Sequence, residues 1–244
     1  MLLSVDGPIG AASADYVERS LHRAERGGAG LVVLQLDTPG GLDTSMRAIV
    51  KAILASKVPV AAFVGPSGAR AASAGTFMVY ASHVAAMAPA TELGAATPIT
   101  MGAAPDPYPS ASAGAASSPG VPHDALEAKR INDAAAGIRS LALVRHRNAD
   151  WAERAVRDAA SLSSTEALSQ HVVDLVARDV PDLLRQLDGR AVQLADGRSM
   201  TLATAGARIE RWEPDWRDRL LAFIGDPSLA LMLLLVGFYG LLFE

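Results

Sequence analysis

The chain has 244 residues, half of them hydrophobic, with 22 basic and 26 acidic side chains and a net charge of −4. That length buries a sizeable core in one or two domains, and that balance of charge gives no footprint for nucleic acid. The absence of cysteine excludes disulfides and thiolate metal sites; the five histidines (His22, His83, His123, His146, His171) are not at metal-ligand spacing, so no metal site is expected.

In chain order, Leu2–Val5 reads as a strand ending in a turn at Asp6-Gly7-Pro8. The N-terminus has no basic region followed by a long apolar stretch, so no signal peptide is visible. From Ser13 to Gly28, Val17, Leu21 and Ala24 share a helical face, with Ser13 as the cap and Gly27-Gly28 as the stop. Leu31–Leu36 is an apolar strand. The chain then breaks at Pro39-Gly40-Gly41 and resumes as a helix from about Thr44 to Ser56. Val58–Val64 and His83–Met87 are further apolar strands, and Ala74–Ala81 is a helix between them. Strands apolar at every position and separated by helices predict a parallel sheet covered on both faces, an α/β architecture of βαβ units.

Met101–His123 interrupts the pattern. Its 23 residues include six Ala, five Pro, four Ser and three Gly, a composition that builds no core and predicts a mobile loop. Loops this long inside compact domains are usually functional or disordered. A long helix is predicted from Asp124, spaced with Glu127 as a capping box, to about Arg147. Its apolar stripe is Ile131, Ala134, Ala135, Ile138, Leu141 and Ala142. Helices at Trp151–Ala159, Ser164–Gln170 and Asp179–Leu187 follow, then a hairpin over Ala191–Ala203 that turns at Asp196-Gly197. Near the end, Leu229–Phe243 runs for 15 residues without a charge. As a helix it spans about 22 Å, short of a ~30 Å hydrocarbon core. It reads as a buried core helix or as a membrane segment. Glu244 directly behind it favours a membrane helix cut short, and Trp212 and Trp216 among the charges of Glu210–Arg219 suit a membrane interface.

Three features could carry chemistry. Ser73 stands among alanines and glycines between a strand and a helix, where unpaired helix N–H groups can stabilise an oxyanion. The structural alternative is a helix N-cap serine packed among small residues, since serine is a preferred cap. In Asp37–Gly41 (DTPGG), two glycines at the carboxyl end of a strand let backbone amides approach a substrate, as in an oxyanion hole, although Pro-Gly-Gly is also a common turn. Lys129, near the start of the long helix, could take a proton from a serine once desolvation favours its neutral form. It lies off the apolar stripe, so helical periodicity gives it no burial; the loop, a second subunit or the substrate would have to dry it. His83 sits in an apolar strand and reads as a core histidine.

Taken together, LDTPGG (Leu36–Gly41), ARAASAGTF (Ala69–Phe77), SHVAAMAPATELGAATPI (Ser82–Ile99), KRIND (Lys129–Asp133) and IRSLA (Ile138–Ala142) resemble the membrane-bound serine proteases of the NfeD (stomatin-operon partner) family. The blocks keep the family's order and spacing, and the resemblance covers roughly Leu2 to Phe243. It implies a ClpP/crotonase-like core of parallel strands with covering helices, followed by a C-terminal apolar membrane helix. It implies Ser73 as nucleophile, Lys129 as general base, and an oxyanion hole from the Gly41 and Ala74 N–H groups with Gly40 supporting the turn. A homo-oligomer such as a dimer, and a stomatin-type membrane protein as partner or substrate, are implied likewise, as is a protease domain on the extracytoplasmic side of a membrane. Family members usually begin with a signal or membrane segment and often continue into more membrane helices and a small β-barrel domain.

The division expected is 1–190 for the protease domain, 191–225 for the hairpin and juxtamembrane segment, and 226–244 for the start of a truncated transmembrane helix. The function expected is a serine endopeptidase with a Ser-Lys dyad, free of cofactors, cleaving apolar segments of membrane-associated proteins. The alternatives are a non-catalytic membrane-tethered scaffold that binds a stomatin-type protein, and a crotonase-like enzyme acting on acyl-thioesters.

Overall fold

Strands that are mostly apolar along both faces need cover on both faces, and the rest of the chain supplies it. The structure is a computed structural model in which residues 1–99, 123–194, 196–213, 235, 236, 238 and 239 are described. Strand β1 (Leu2–Asp6) leads into helix α1 (Ala11–Arg26), β2 (Val32–Asp37), α2 (Asp43–Ala55), β3 (Val60–Val64), β4 (Arg70–Ala72), α3 (Ala74–Ala81), β5 (Val84–Met87) and β6 (Glu92–Gly94). After the expected loop, which lies outside the described residues, come α4 (His123–Val144), α5 (Ala149–Arg157), β7 (Ser161–Ser163), α6 (Ser164–Ser169), β8 (Leu175–Val176) and α7 (Val180–Leu187). Strands β9 (Ala191–Gln193), β10 (Ser199–Thr201) and β11 (Arg211–Trp212) complete the described chain.

Among the described residues, the main sheet has the order β11-β1-β2-β3-β5-β8 and is parallel throughout, as the apolar runs predict. The two-residue period of a strand divides its side chains between two cores. Val32, Leu34 and Leu36 of β2, with Val60, Ala62 and Val64 of β3, bury against Val17, Ile49, Met78 and Ile138 from helices α1 to α4. Val33, Ala61 and Phe63 face the other way, onto Leu183 and Leu187 of α7 and onto Val192 and Leu202 of the hairpin. A smaller sheet, β4-β6-β7, sits at the carboxyl end of the main one. The two are joined where Thr38, just past β2, pairs with Ala71 of β4.

Several local readings change. Helix α1 is capped by Gly10, and Ser13 lies inside it, where its hydroxyl accepts from the Gly10 N–H at 3.4 Å. Trp212 docks on α1: Arg23 stacks on its ring at 3.7 Å, and the Tyr16 hydroxyl donates to its carbonyl. No helix among the described residues is long and apolar enough to cross a membrane. The expected membrane segment 226–244 lies outside the described residues apart from 235, 236, 238 and 239, and Trp216 lies outside them as well.

Helix α3 positions the site. It is apolar around its whole circumference, and Ala74 to Ala81 are all buried. Its final carbonyls meet arginines: Arg147 Nη1 donates to Val79 (3.0 Å) and Tyr80 (3.1 Å), and Arg145 Nε donates to Ala81 (2.8 Å). The Arg147 side chain is 2% exposed. Its Nη2 pairs at 2.8 Å with Asp174 Oδ2, which also accepts the Ala85 N–H of β5 at 2.7 Å. Cations at a helix C-terminus oppose the negative end of its dipole.

His83, expected as a satisfied core histidine within the strand, is half-buried just ahead of β5 and only partly satisfied. Its Nδ1 accepts from the Val60 N–H at 3.2 Å, and its buried Nε2 has no partner among the described residues. Burial, reinforced by Arg145 and Arg147, pushes its pKa down to about 3. Between about pH 6.5 and 3 the unfolded chain therefore binds a proton that the folded chain does not, so stability must fall as pH falls through that window. Asn in place of His83 offers the Val60 N–H an acceptor that does not titrate. The stability difference between wild type and His83→Asn, measured by urea unfolding at pH 7 and pH 4.5, should therefore shift against wild type at the lower pH. An unchanged difference would show that His83 is not held neutral.

Candidate active site

The residues around Ser73 are brought together by the segments that continue β1 and β2 past the carboxyl end of the main sheet and by β4 of the smaller sheet. After β2, Thr38 N–H donates to the Arg70 carbonyl (2.7 Å) and the Thr38 carbonyl accepts from the Ala72 N–H (3.0 Å). On its other side the same segment pairs with the chain after β1: Ile9 N–H donates to the Gly40 carbonyl (2.7 Å), and Leu42 N–H to the Ile9 carbonyl (2.8 Å). A trans peptide points its carbonyl and its N–H in opposite directions. With the Gly40 carbonyl turned to Ile9, the Gly41 N–H is directed to the opposite side, where β4 runs into Ser73.

Ser73 occupies the N-cap position of α3, but not as a capping serine. Its side chain makes no capping bond, and its backbone sits at φ 51°, ψ −113°. N-caps normally lie in the extended region. A non-glycine residue held at positive φ stores strain, which tends to be kept at functional sites. The Ser73 N–H donates to the Gly94 carbonyl at 3.0 Å, fixing the turn from behind. Ser73 is half-buried, and its hydroxyl has no partner among the described residues. The Ala74 N–H, first in the helix, has no intrahelical acceptor.

Gly40 lies directly against Ser73. A Cβ on Gly40 would stand 2.5 Å from the Ser73 Cβ and 3.1 Å from its Oγ. Gly40 also has φ +110°, so glycine is required both for space and for backbone conformation. At Gly41 a Cβ would fall 2.0 Å from the Ile9 carbonyl oxygen. Gly40 is buried, Gly41 is exposed, and Gly41 N–H has no acceptor among the described residues. Ser73, Gly40, Gly41 and Ala74 are thus gathered at one place, with two N–H groups left over beside one hydroxyl.

Lys129 makes no hydrogen bond to that group. It is exposed on the early turns of α4, and it makes no hydrogen bond or ion pair among the described residues. Residues 125 to 130 are all exposed; the helix joins the body from Ile131 onward, where Arg47 bonds Asp133 (2.6 Å) and Arg157 bonds Asn132 (2.8 Å). Sequence reasoning also passed over Thr38, fully buried beside Gly40. A cavity of about 360 Å³ lies elsewhere, lined by Met1, Leu31, Val180 and Ile209 among others, and touches none of the residues around Ser73.

Comparison with known proteins gives relatives of consistent kind. The family model of the NfeD1b N-terminal domain matches residues 2–118. Membrane-bound protease PH1510 of Pyrococcus horikoshii is 36% identical over 241 residues, covering 98% of this chain and 51% of that one. Membrane protein NfeD1b of Bacillus subtilis is 33% identical over 95 residues, 39% of this chain and 21% of that one. The chain therefore spans about half the length of the first of these and about a fifth of the second. Among solved structures, a serine-to-alanine variant of the 1510-N membrane-bound stomatin-specific protease is 35% identical with a TM-score of 0.71, covering 87% of this chain and 95% of that one. A lysine-to-alanine variant of it, in complex with a substrate peptide, is 33% identical with a TM-score of 0.76, covering 91% and 95%.

The fit between Gly40 and Ser73 can be measured. Alanine at Gly40 and at Gly68 (φ +91°, with nothing within 4 Å of an added Cβ) both force a side chain into positive φ, at about 1–3 kcal/mol each. Equilibrium unfolding should show a larger loss for Gly40→Ala, the excess being the collision with Ser73. Equal losses would mean that the two residues do not touch.

Proposed function

The chain belongs to the NfeD family, and we propose that it is a serine endopeptidase that cleaves apolar segments of membrane-associated proteins, a stomatin-type protein among them. The observation that carries the reading is the strained backbone of Ser73 packed against Gly40, with the neighbouring Gly41 and Ala74 N–H groups unpaired among the described residues. Two further points support it. A solved relative is named as a stomatin-specific protease, and its variants replace one serine and one lysine, the residue types of the expected dyad.

In this reading the neutral Lys129 amine takes the proton from Ser73 as its oxygen attacks a peptide carbonyl. The carbonyl oxygen becomes an oxyanion held by Gly41 N–H and Ala74 N–H. The tetrahedral intermediate collapses to an acyl-enzyme, with Lys129 passing its proton to the leaving amine, and water activated by Lys129 releases the acid. The reaction needs both partners close together, and a single chain leaves Lys129 in solvent. The dyad forms when a second copy of the chain or the bound peptide covers the first turns of α4. The site of action is a membrane surface, with the protease domain on its extracytoplasmic side.

The exposure of Lys129 is also the observation that favours the scaffold reading, and one experiment separates the two. Ser73→Ala and Lys129→Ala should each reduce cleavage of an apolar peptide by roughly a thousandfold or more, with thermal unfolding of both variants close to wild type. Cleavage retained in either variant would sink the dyad. An absence of cleavage in the assembled wild type would leave the scaffold, and thioester chemistry that survives Ser73→Ala would favour the crotonase-like alternative.

A further inference from the structure

We propose that Thr38 is the positioning residue that sets the spacing of the two oxyanion-binding amides, an inference that rests on the endopeptidase reading of this site. Thr38 is fully buried on the segment that supplies the Gly41 amide, against the helix that supplies the Ala74 amide. Its Oγ1 accepts from the Gly40 N–H at 3.1 Å and donates to the Gly40 carbonyl at 3.3 Å. One hydroxyl can do both, having one proton and two lone pairs. The consequence is a division of labour between adjacent peptides. The Gly40 N–H is engaged internally and withdrawn from the site. The Gly40 carbonyl is held by Thr38 and by Ile9, so the Gly41 N–H on the same peptide plane is aimed outward.

The methyl group of Thr38 serves the other amide. A Cβ on Gly75 would come within 2.7 Å of Thr38 Cγ2, so the methyl packs against the first turn of α3, next to Ala74. The hydroxyl therefore fixes the Gly41 donor, and the methyl fixes the seat of the Ala74 donor. Thr38 backbone bonds to Arg70 and Ala72 tie both to the strand that ends at Ser73. Two donors act on one developing oxyanion only when their separation is preset, since reorganising them during reaction forfeits their effect.

Thr38→Val keeps the methyl and removes the hydroxyl; Thr38→Ser does the reverse. In the full-length chain, amide hydrogen exchange should find the Gly40 N–H protected and the Gly41 N–H exchanging fast. Protection of Gly40 should persist in Thr38→Ser and vanish in Thr38→Val. With an apolar peptide substrate, Thr38→Val should lower kcat about tenfold to a hundredfold, less than the loss of a whole oxyanion donor, while KM stays within about twofold. A peptide boronate, which mimics the tetrahedral state, should bind Thr38→Val more weakly by the same factor as kcat falls. Thr38→Ser should recover most of kcat. A wild-type Gly40 N–H that exchanges as fast as that of Gly41 would overturn the proposal, and this measurement stands even if Thr38→Val does not fold. Full kcat in Thr38→Val despite lost protection of Gly40 would also overturn it. A wild type that cleaves no peptide would refute the endopeptidase reading, and the exchange data would then still decide whether the hydroxyl holds the loop.

Discussion

The complete burial of α3 constrains the rest of the structure. A helix of this length has unpaired carbonyls at one end and unpaired N–H groups at the other, and burying either without partners costs free energy. At the carboxyl end the debt is met inside the protein by Arg145 and Arg147, with Asp174 as counter-ion to Arg147. At the amino end the Ala74 N–H opens beside a half-buried serine and an exposed glycine. The positive end of the dipole is thus left without an acceptor for the Ala74 N–H among the described residues, and the negative end is closed off. The same arginines lie close enough to His83 to help keep it neutral.

The small residues around Ser73 follow from convergence, not from looseness. Four segments meet there: the chain after β1, the chain after β2, the turn from β4 into α3, and the end of β6 against β7. An added Cβ would strike Ile9 from Gly41, Ser73 from Gly40, Thr38 from Gly75, and the Ala160 carbonyl at 2.2 Å from Gly94. Gly41 and Gly94 remove a side chain where two backbones cross, and Gly40 and Gly75 make room for a neighbour's side chain. The segments can then approach closely enough to bring Gly40, Gly41 and the start of α3 to Ser73, which a loop of larger residues could not permit.

How much of this was legible in the sequence depends on where the information lies. Strands β2, β3 and β5 announce themselves because burial on both faces demands predominantly apolar runs. Strands β4, β6 and β7 do not. Arg-Ala-Ala, Glu-Leu-Gly and Ser-Leu-Ser have no shared propensity, and they are strands because each finds a partner in the folded chain. Ser73, Gly40, Gly41 and Ala74 were readable as a set through motif order, but the positive φ of Ser73 was not, since it is imposed by the Gly94 carbonyl behind it. Thr38 had a readable signal that went unused: a threonine two residues before a glycine can bond the backbone two positions on. Arg147 had none. At the end of a long helix it looks like a solvated cation, and its burial depends on α3 stopping beside it.

Lys129 poses an energetic question that the fold of one chain leaves open. Taking an ammonium out of water costs several kcal/mol, so whatever covers it must bring a comparable gain. The same turn of α4 displays Leu126, 45% exposed, but burying the remainder of one leucine yields only about 1 kcal/mol. At about 25 cal/mol per Å² of apolar surface removed from water, offsetting about 5 kcal/mol needs roughly 200 Å². A second chain or an apolar peptide laid along α4 can supply that area, and a polar peptide cannot. In the endopeptidase reading, a preference for apolar substrates and a base that works only when covered are therefore one property: the surface that selects the substrate is the surface that covers the lysine.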